Sequence, residues 1–246
     1  AIIKASGMPA QQVKLAVQAD NSAAGKAGNP QYLTLYKNRG AQVVYAENNF
    51  PSGVAGADVT PYVQSMVAAN PNIVMISTPF ADVGPIATGL RSAGYKGLSY
   101  DYTNYIPGLL PAEPQLAKAL EGEYVNTQIV PSEQNTPFIQ QVQADLQASG
   151  QKPFVTLGGE MGYIEGELFV EQLQAVGQQL DTKTWDQKVN GGSFSAYTSL
   201  QGGPGPMLYP AGHFLPADCA AIVRISNAAY TVVTPFQCYS SLPVTG

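Results

Sequence analysis

A chain of 246 residues with 45% hydrophobic residues is long enough for one large domain or two small ones, each with its own core. Charged residues make up 12%, half of the ~25% usual in globular proteins, and the net charge is −5 with no basic run, which excludes nucleic acid as a partner. The longest apolar runs are of strand length, far below the ~20 residues that span a bilayer.

Residues 1–10 read as the end of a helix. The opening AIIKASGMPAQQ lacks the charged start and apolar centre of a secretory leader, as a processed chain also would. Residues 13–20 (VKLAVQAD) predict a first strand, and Asn21-Ser22-Ala-Ala-Gly reads as a turn-rich tip. A helix over 30–38 ends at Gly40, and 41–47 form a second strand. Thr60 and Pro61 open the next helix as N-cap and first helical residue, with Val63, Met66 and Val67 as its apolar stripe. Residues 72–77 are almost wholly apolar, which predicts a strand buried on both faces. Val83, Ile86 and Leu90 mark a helix stopped by Gly94. Further strands are expected over 97–101 and 124–130. This alternation predicts an α/β fold with a parallel sheet and flanking crossover helices. Such sheets hold ligands at the carboxyl ends of their strands.

After Val130 the alternation stops. Thr136-Pro137 starts a helix with Phe138, Val142 and Leu146 on one face, closed by Gly150. A long helix over 161–176 directs Ile164, Leu168, Phe169 and Leu173 inward, and a short one follows over 184–189. Residues 191–206, rich in Gly, Ser and Pro, read as loop. The three helical stripes must bury against something, and no strands lie between them. Cys219 and Cys238 flank two β-rich runs, 220–225 and 230–234. A turn centred between Ala228 and Ala229 sets the cysteines face to face, which predicts a cross-strand disulfide and an exported protein. Two buried free thiols are the other reading.

Catalytic signatures are absent from the sequence. The single histidine, His213, reads as structural, and Gly191-Gly192-Ser193-Phe194-Ser195 fails the G-x-S-x-G pattern. GGEMG at 158–162 does not match G-x-G-x-x-G, and no His, Cys or carboxylate cluster has metal-ligand spacing. No catalytic residue, metal or cofactor is expected.

The segment PYVQSMVAANPNIVMISTPFADVGPIATGLRSAGYKG resembles the second-lobe core of type I periplasmic binding proteins, in particular the branched-chain amino acid and amide binders of ABC importers. The resemblance rests on an acidic-Pro helix start at residues 58–61, a Pro-containing strand entry at 69–74 and an Ala-Gly-aromatic turn at 93–97. GYIEGELFVEQLQAVG is similar to the later helix that closes the family's first lobe, and residues 213–238 to its final hairpin. The resemblance implies a second-lobe α/β core over 1–130, first-lobe helices over 131–210, and a hairpin over 211–246 that returns to the second lobe. The second lobe is then complete and the first partial. Its sheet, expected before residue 1, is expected as a separate or further segment.

The resemblance also places ligand contacts at strand tips. These are Asn21 and Ser22 on the first, Ser77, Thr78 and Phe80 on the third, Tyr100, Asp101 and Tyr102 on the fourth, and Glu160 and Tyr163 at the start of the long helix. Hydroxyls and amides orient polar ligand groups, aromatics supply a wall, and Asp101 suits a ligand ammonium. Each has a plainer reading. Asn21 and Ser22 shape a loop, Ser77 and Thr78 cap a helix, Asp101 turns the chain, the tyrosines pack a hinge or surface, and Glu160 is favoured by a helix dipole. The implied function is extracytoplasmic capture of a small polar organic ligand, an amino acid or related carboxylate or amide, for delivery to an ABC permease. A sensory ectodomain of the same fold is the alternative. An enzyme would have to rely on His213 as its one histidine.

Overall fold

The structure is a computed structural model and describes residues 1–54, 56–191, 194, 196, 197, 207, 208 and 219–239. His213 and most of the loop expected over 191–206 lie outside the described residues. The chain forms two compact units. The first contains Ala1–Asn126 and Ile222–Thr234, the second Thr127–Ala221 and the stretch from Pro235. The described chain therefore passes from one unit to the other at 126/127, 221/222 and 234/235.

The first unit begins with α1 (Ile2–Ser6), β1 (Lys14–Asp20), α2 (Ala23–Asn38), β2 (Gln42–Phe50), α3 (Thr60–Ala68) and β3 (Ile73–Ser77). It continues with α4 (Phe80–Ser92), β4 (Leu98–Asp101), α5 (Leu109–Ala112), α6 (Pro114–Ala119) and β5 (Tyr124–Thr127). The strands run parallel in the order β2-β1-β3-β4-β5. Every residue of β3 is buried, as a central strand covered on both faces requires. On one face Leu15, Val17, Ile73, Met75 and Tyr100 pack with Tyr32, Leu33 and Tyr36 of α2 and with residues of α1. On the other, α3 and α4 bury Val63, Met66, Val83, Ile86 and Leu90. A Cβ on Gly89 would lie 2.9 Å from Val63 Cγ2, so these two helices approach closely there.

Several boundaries differ from expectation. α2 starts at Ala23 and not near Pro30, because Ser22 is its N-cap and the Ala-Ala-Gly tip is its first turn. Pro30 lies inside the helix. Thr60 is the first residue of α3, not its cap; Val59 precedes it, and the Thr60 N–H donates to Asp58 Oδ1 at 2.9 Å. β5 ends at Thr127, whose hydroxyl turns to the Ile129 carbonyl, so the strand expected to reach Val130 is shorter.

In the second unit, α7 (Pro137–Ala148) is capped by the Thr136 hydroxyl and followed by Gly150 at φ 76°, as the sequence predicts. α8 (Leu157–Val176) is capped by Thr156, and its buried residues are Glu160, Ile164, Gln172 and Val176. That stripe steps by four, which turns Phe169 outward against expectation; it is 53% exposed and its ring lies 5.7 Å from Trp185. Trp185 ends α9 (Thr182–Trp185), which a wider turn extends to Asn190. The two-residue strands β6 (Ala196–Tyr197) and β7 (Met207–Leu208) pair antiparallel.

The last elements are β8 (Cys219–Ser226) and β9 (Ala229–Cys238). Asn227 and Ala228 both have positive φ, 53° and 59°, as a tight two-residue hairpin turn demands. The turn is centred one residue earlier than expected, yet Cys219 and Cys238 are joined, with an S–S distance of 2.01 Å. In the first unit β8 lies beside β5, where the Gly122 N–H donates to the Ile225 carbonyl and the Ile225 N–H to the Glu123 carbonyl, both at 2.9 Å.

Candidate functional site

The strand order reverses direction between β1 and β3, and a parallel sheet opens its ligand crevice at such a point, beyond the carboxyl ends of the strands. At the end of β1, Asp20 is buried and its Oδ1 accepts from the Ser22 N–H at 2.8 Å. The Ser22 hydroxyl accepts from the Gly25 N–H at 3.0 Å. The Asn21 N–H donates to the Phe50 carbonyl at 2.8 Å, and Asn21 Oδ1 accepts from the Ser52 N–H at 3.0 Å. Both predicted residues thus shape this tip. Asp82, in the first turn of α4, has its carboxyl pushed up by burial and by the charge of Asp20. The edge is therefore acidic.

The tips of β3 and β4 are tied together by a 3.0 Å hydrogen bond between the Ser77 and Tyr102 hydroxyls. α4 is preceded by Pro79 and has no side-chain cap, so neither Ser77 nor Thr78 caps it. Thr78 is buried and its Oγ1 has no hydrogen-bond partner. Phe80, half-buried, opens α4. Tyr100 belongs to the core and its hydroxyl meets that of Tyr36 at 2.5 Å, while the Tyr102 ring lies 6.3 Å from Tyr32.

Asp101 is fully buried. Its Oδ1 accepts from the Thr103 N–H at 2.6 Å, the Thr103 hydroxyl at 3.2 Å and the Asn104 N–H at 2.8 Å, while its Oδ2 has no partner. Burial pushes this carboxyl up, against the Thr103 and Asn104 bonds that pull it down. Sequence reasoning missed Asn104, which is buried with Oδ1 unpartnered, and whose carbonyl accepts from the Tyr230 hydroxyl. Its signal was present in Asp101-Tyr-Thr-Asn, an aspartate followed by residues whose N–H groups it can accept. Thr78 Oγ1, Asp101 Oδ2 and Asn104 Oδ1 are thus three unsatisfied polar atoms at adjacent strand tips.

Sequence reasoning also missed Glu123, just before β5. It is fully buried, and its Oε2 lies 2.5 Å from the Ser99 hydroxyl. Burial, reinforced by Asp101, pushes its carboxyl up to about 8.

In the second unit Glu160 is fully buried in α8, and neither of its carboxyl oxygens has a hydrogen-bond partner. Burial pushes it up to about 9. The Tyr163 hydroxyl donates to Asp145, which lowers the Asp145 carboxyl, and its ring meets Phe138 edge-on at 6.5 Å. Among the described residues no three His, Cys, Asp or Glu side chains converge as a metal site would need, and no helix is long and apolar enough to cross a membrane.

A family model described as periplasmic binding protein matches residues 4–229. No curated protein sequence matches the chain. Among solved structures, the chain is similar to an ABC-transporter solute-binding protein from R. palustris in complex with 4-hydroxybenzoate, at 15% identity and TM-score 0.73, covering 97% of this chain and 64% of that one. It is similar to a leucine-, isoleucine-, valine-, threonine- and alanine-binding protein from Brucella ovis at 18% identity and TM-score 0.73, covering 96% of this chain and 59% of that one. A leucine-binding protein from Thermotoga maritima aligns at 14% identity and TM-score 0.69, covering 93% of this chain and 61% of that one. The chain thus spans 59–64% of the length of these structures. At these identities the likeness is one of fold.

Proposed function

The chain belongs to the periplasmic binding protein family, and on that premise we propose that it captures a small polar organic ligand outside the cytoplasmic membrane and delivers it to an ABC permease. The carrying observation is three unsatisfied buried polar atoms on residues at the tips of the neighbouring strands β3 and β4, Thr78 Oγ1, Asp101 Oδ2 and Asn104 Oδ1. Unsatisfied buried polar groups cost about 1–3 kcal/mol each, and a polar ligand that pairs with them removes that cost. Asp101, with Asp20 and Asp82 at the same edge, favours a cationic group, so the ligand class is an amino acid or a related amine-bearing carboxylate or amide. Thr78 and Asn104 supply neutral bonds that orient it, with Phe80 as an apolar wall. Asn21 and Ser22 hold the shape of the first tip. The tips offer hydrogen bonds and charge, which suits binding.

In the same reading α7, α8 and α9 belong to the family's first lobe. Met161, Phe169 and Val170 on α8 support that assignment, as large apolar side chains left substantially exposed.

Calorimetric titration with amino acids, their amides and aromatic carboxylates tests the proposal. D101N is expected to weaken an ammonium-bearing ligand by about 10- to 150-fold, the worth of one charge-assisted bond, and to leave carboxylates without an amine unchanged. Absence of binding by every compound to folded protein would overturn the proposal.

A further inference from the structure

Asp101, at the end of β4, and Glu123, immediately before the neighbouring β5, are both fully buried. The register pairs Tyr100 with Tyr124, which sets Glu123 opposite Ser99. Ser99 and Asp101, two residues apart along β4, share a face, so both carboxyl groups occupy the same side of the sheet. Each leaves one oxygen without a partner, Asp101 Oδ2 and Glu123 Oε1. Two buried like charges in one low-dielectric pocket cannot both persist, and the group with fewer donors keeps its proton. Asp101 has three donors on Oδ1. Glu123 has the Ser99 hydroxyl alone.

We infer that Asp101 and Glu123 share a single negative charge, with Glu123 as the resident proton holder and Asp101 as the anion. The other groups facing Glu123 do not supply a counter-charge that removes the need for the proton. Arg91 of α4 favours the anion, but its guanidinium is committed to the carbonyls of Ala119 and Glu121. Tyr95 is itself pushed up by burial and by Glu123. Arg224 of β8 is exposed and lies over the Tyr124 ring at 5.6 Å, one residue off and so on the opposite face, and Lys118 of α6 is exposed. The inference does not depend on which ligand the tips take.

The test uses the full chain with isotope-labelled glutamate and infrared detection of protonated carboxyl groups, in an E160Q background that removes the second raised glutamate. A protonated glutamate band at pH 7 with a midpoint near pH 8 is expected, absent from the E160Q/E123Q variant. D101N, which keeps the Oδ1 acceptor, is expected to lower that midpoint by about one pH unit or more, because it removes the neighbouring charge. A fully ionised glutamate signal at pH 7, a protonated aspartate in its place, or a midpoint indifferent to D101N would each overturn the inference. Should E123Q fail to fold, the titration and the D101N arm still decide.

Discussion

Gly25 and Gly162 are both helical glycines and make opposite predictions. A Cβ on Gly25 would lie 2.5 Å from the Asp20 carbonyl oxygen and 2.7 Å from Asp20 Oδ1, so the first turn of α2 closes onto the end of β1 only without a side chain. Backbone atoms cannot give way cheaply, and G25A is expected to destabilise the protein by about 1–3 kcal/mol. Gly162 in α8 has nothing within 4 Å of its Cβ position. G162A is expected to stabilise by about 0.5–1 kcal/mol, through helix propensity and the entropy of the unfolded chain. Urea melts of the two variants check both signs. The same scale explains why the candidate site was only partly legible. Asp101 and the hydroxyls at the tips follow from where strands end. Glu123 and Asn104 do not, because their importance lies in how few donors they meet, which no spacing along the chain records. Glu123 carries a faint mark, a charged residue at the opening of a run expected to be a strand.

Elements were read best where caps and stripes agree. α7 matched because Thr136, Pro137 and Gly150 punctuate a clean apolar face. α2 was misread because Ser22 serves turns and caps alike, and because Pro30 looks like a start when it is an interior residue. α5 and α6, between β4 and β5, are too short for a periodic pattern to register. Phe169 was placed inward from its hydrophobicity, whereas the buried stripe of α8 is half polar, with Glu160 and Gln172. The hairpin yields a prediction at this scale. The Cys219–Cys238 bond closes a loop of sequence separation 19, for which constraint of the unfolded chain is worth about 3 kcal/mol. Reduction, or the C219S/C238S double variant, should lower the unfolding free energy by that order without loss of the β1–β5 core, measured by denaturant melts with and without reductant.

For the whole molecule, two fully buried glutamates, Glu123 and Glu160, have carboxyls raised from 4.5 to about 8 and about 9. An acid raised in the folded state stays protonated there while the unfolded chain releases its proton, so the contribution of these two groups to stability is greatest below 4.5 and falls as pH rises. Each group removes about 1.4 kcal/mol per pH unit until its folded value is reached. Thermal melts from pH 5 to pH 9 should therefore show a steady loss of stability, flattened in E123Q and in E160Q separately. The threading of the chain bears on how this molecule is made. β5 is finished by Thr127, but the strand that covers its outer edge, β8, begins at Cys219, after the chain has built the helices of the other unit. Until that return, the N–H and C=O groups of Gly122 and Glu123 that bond Ile225 stand open, a row of free strand edge beside a fully buried acid. During synthesis this molecule must pass through an interval in which this strand edge is bare, and that interval is where self-association competes with folding.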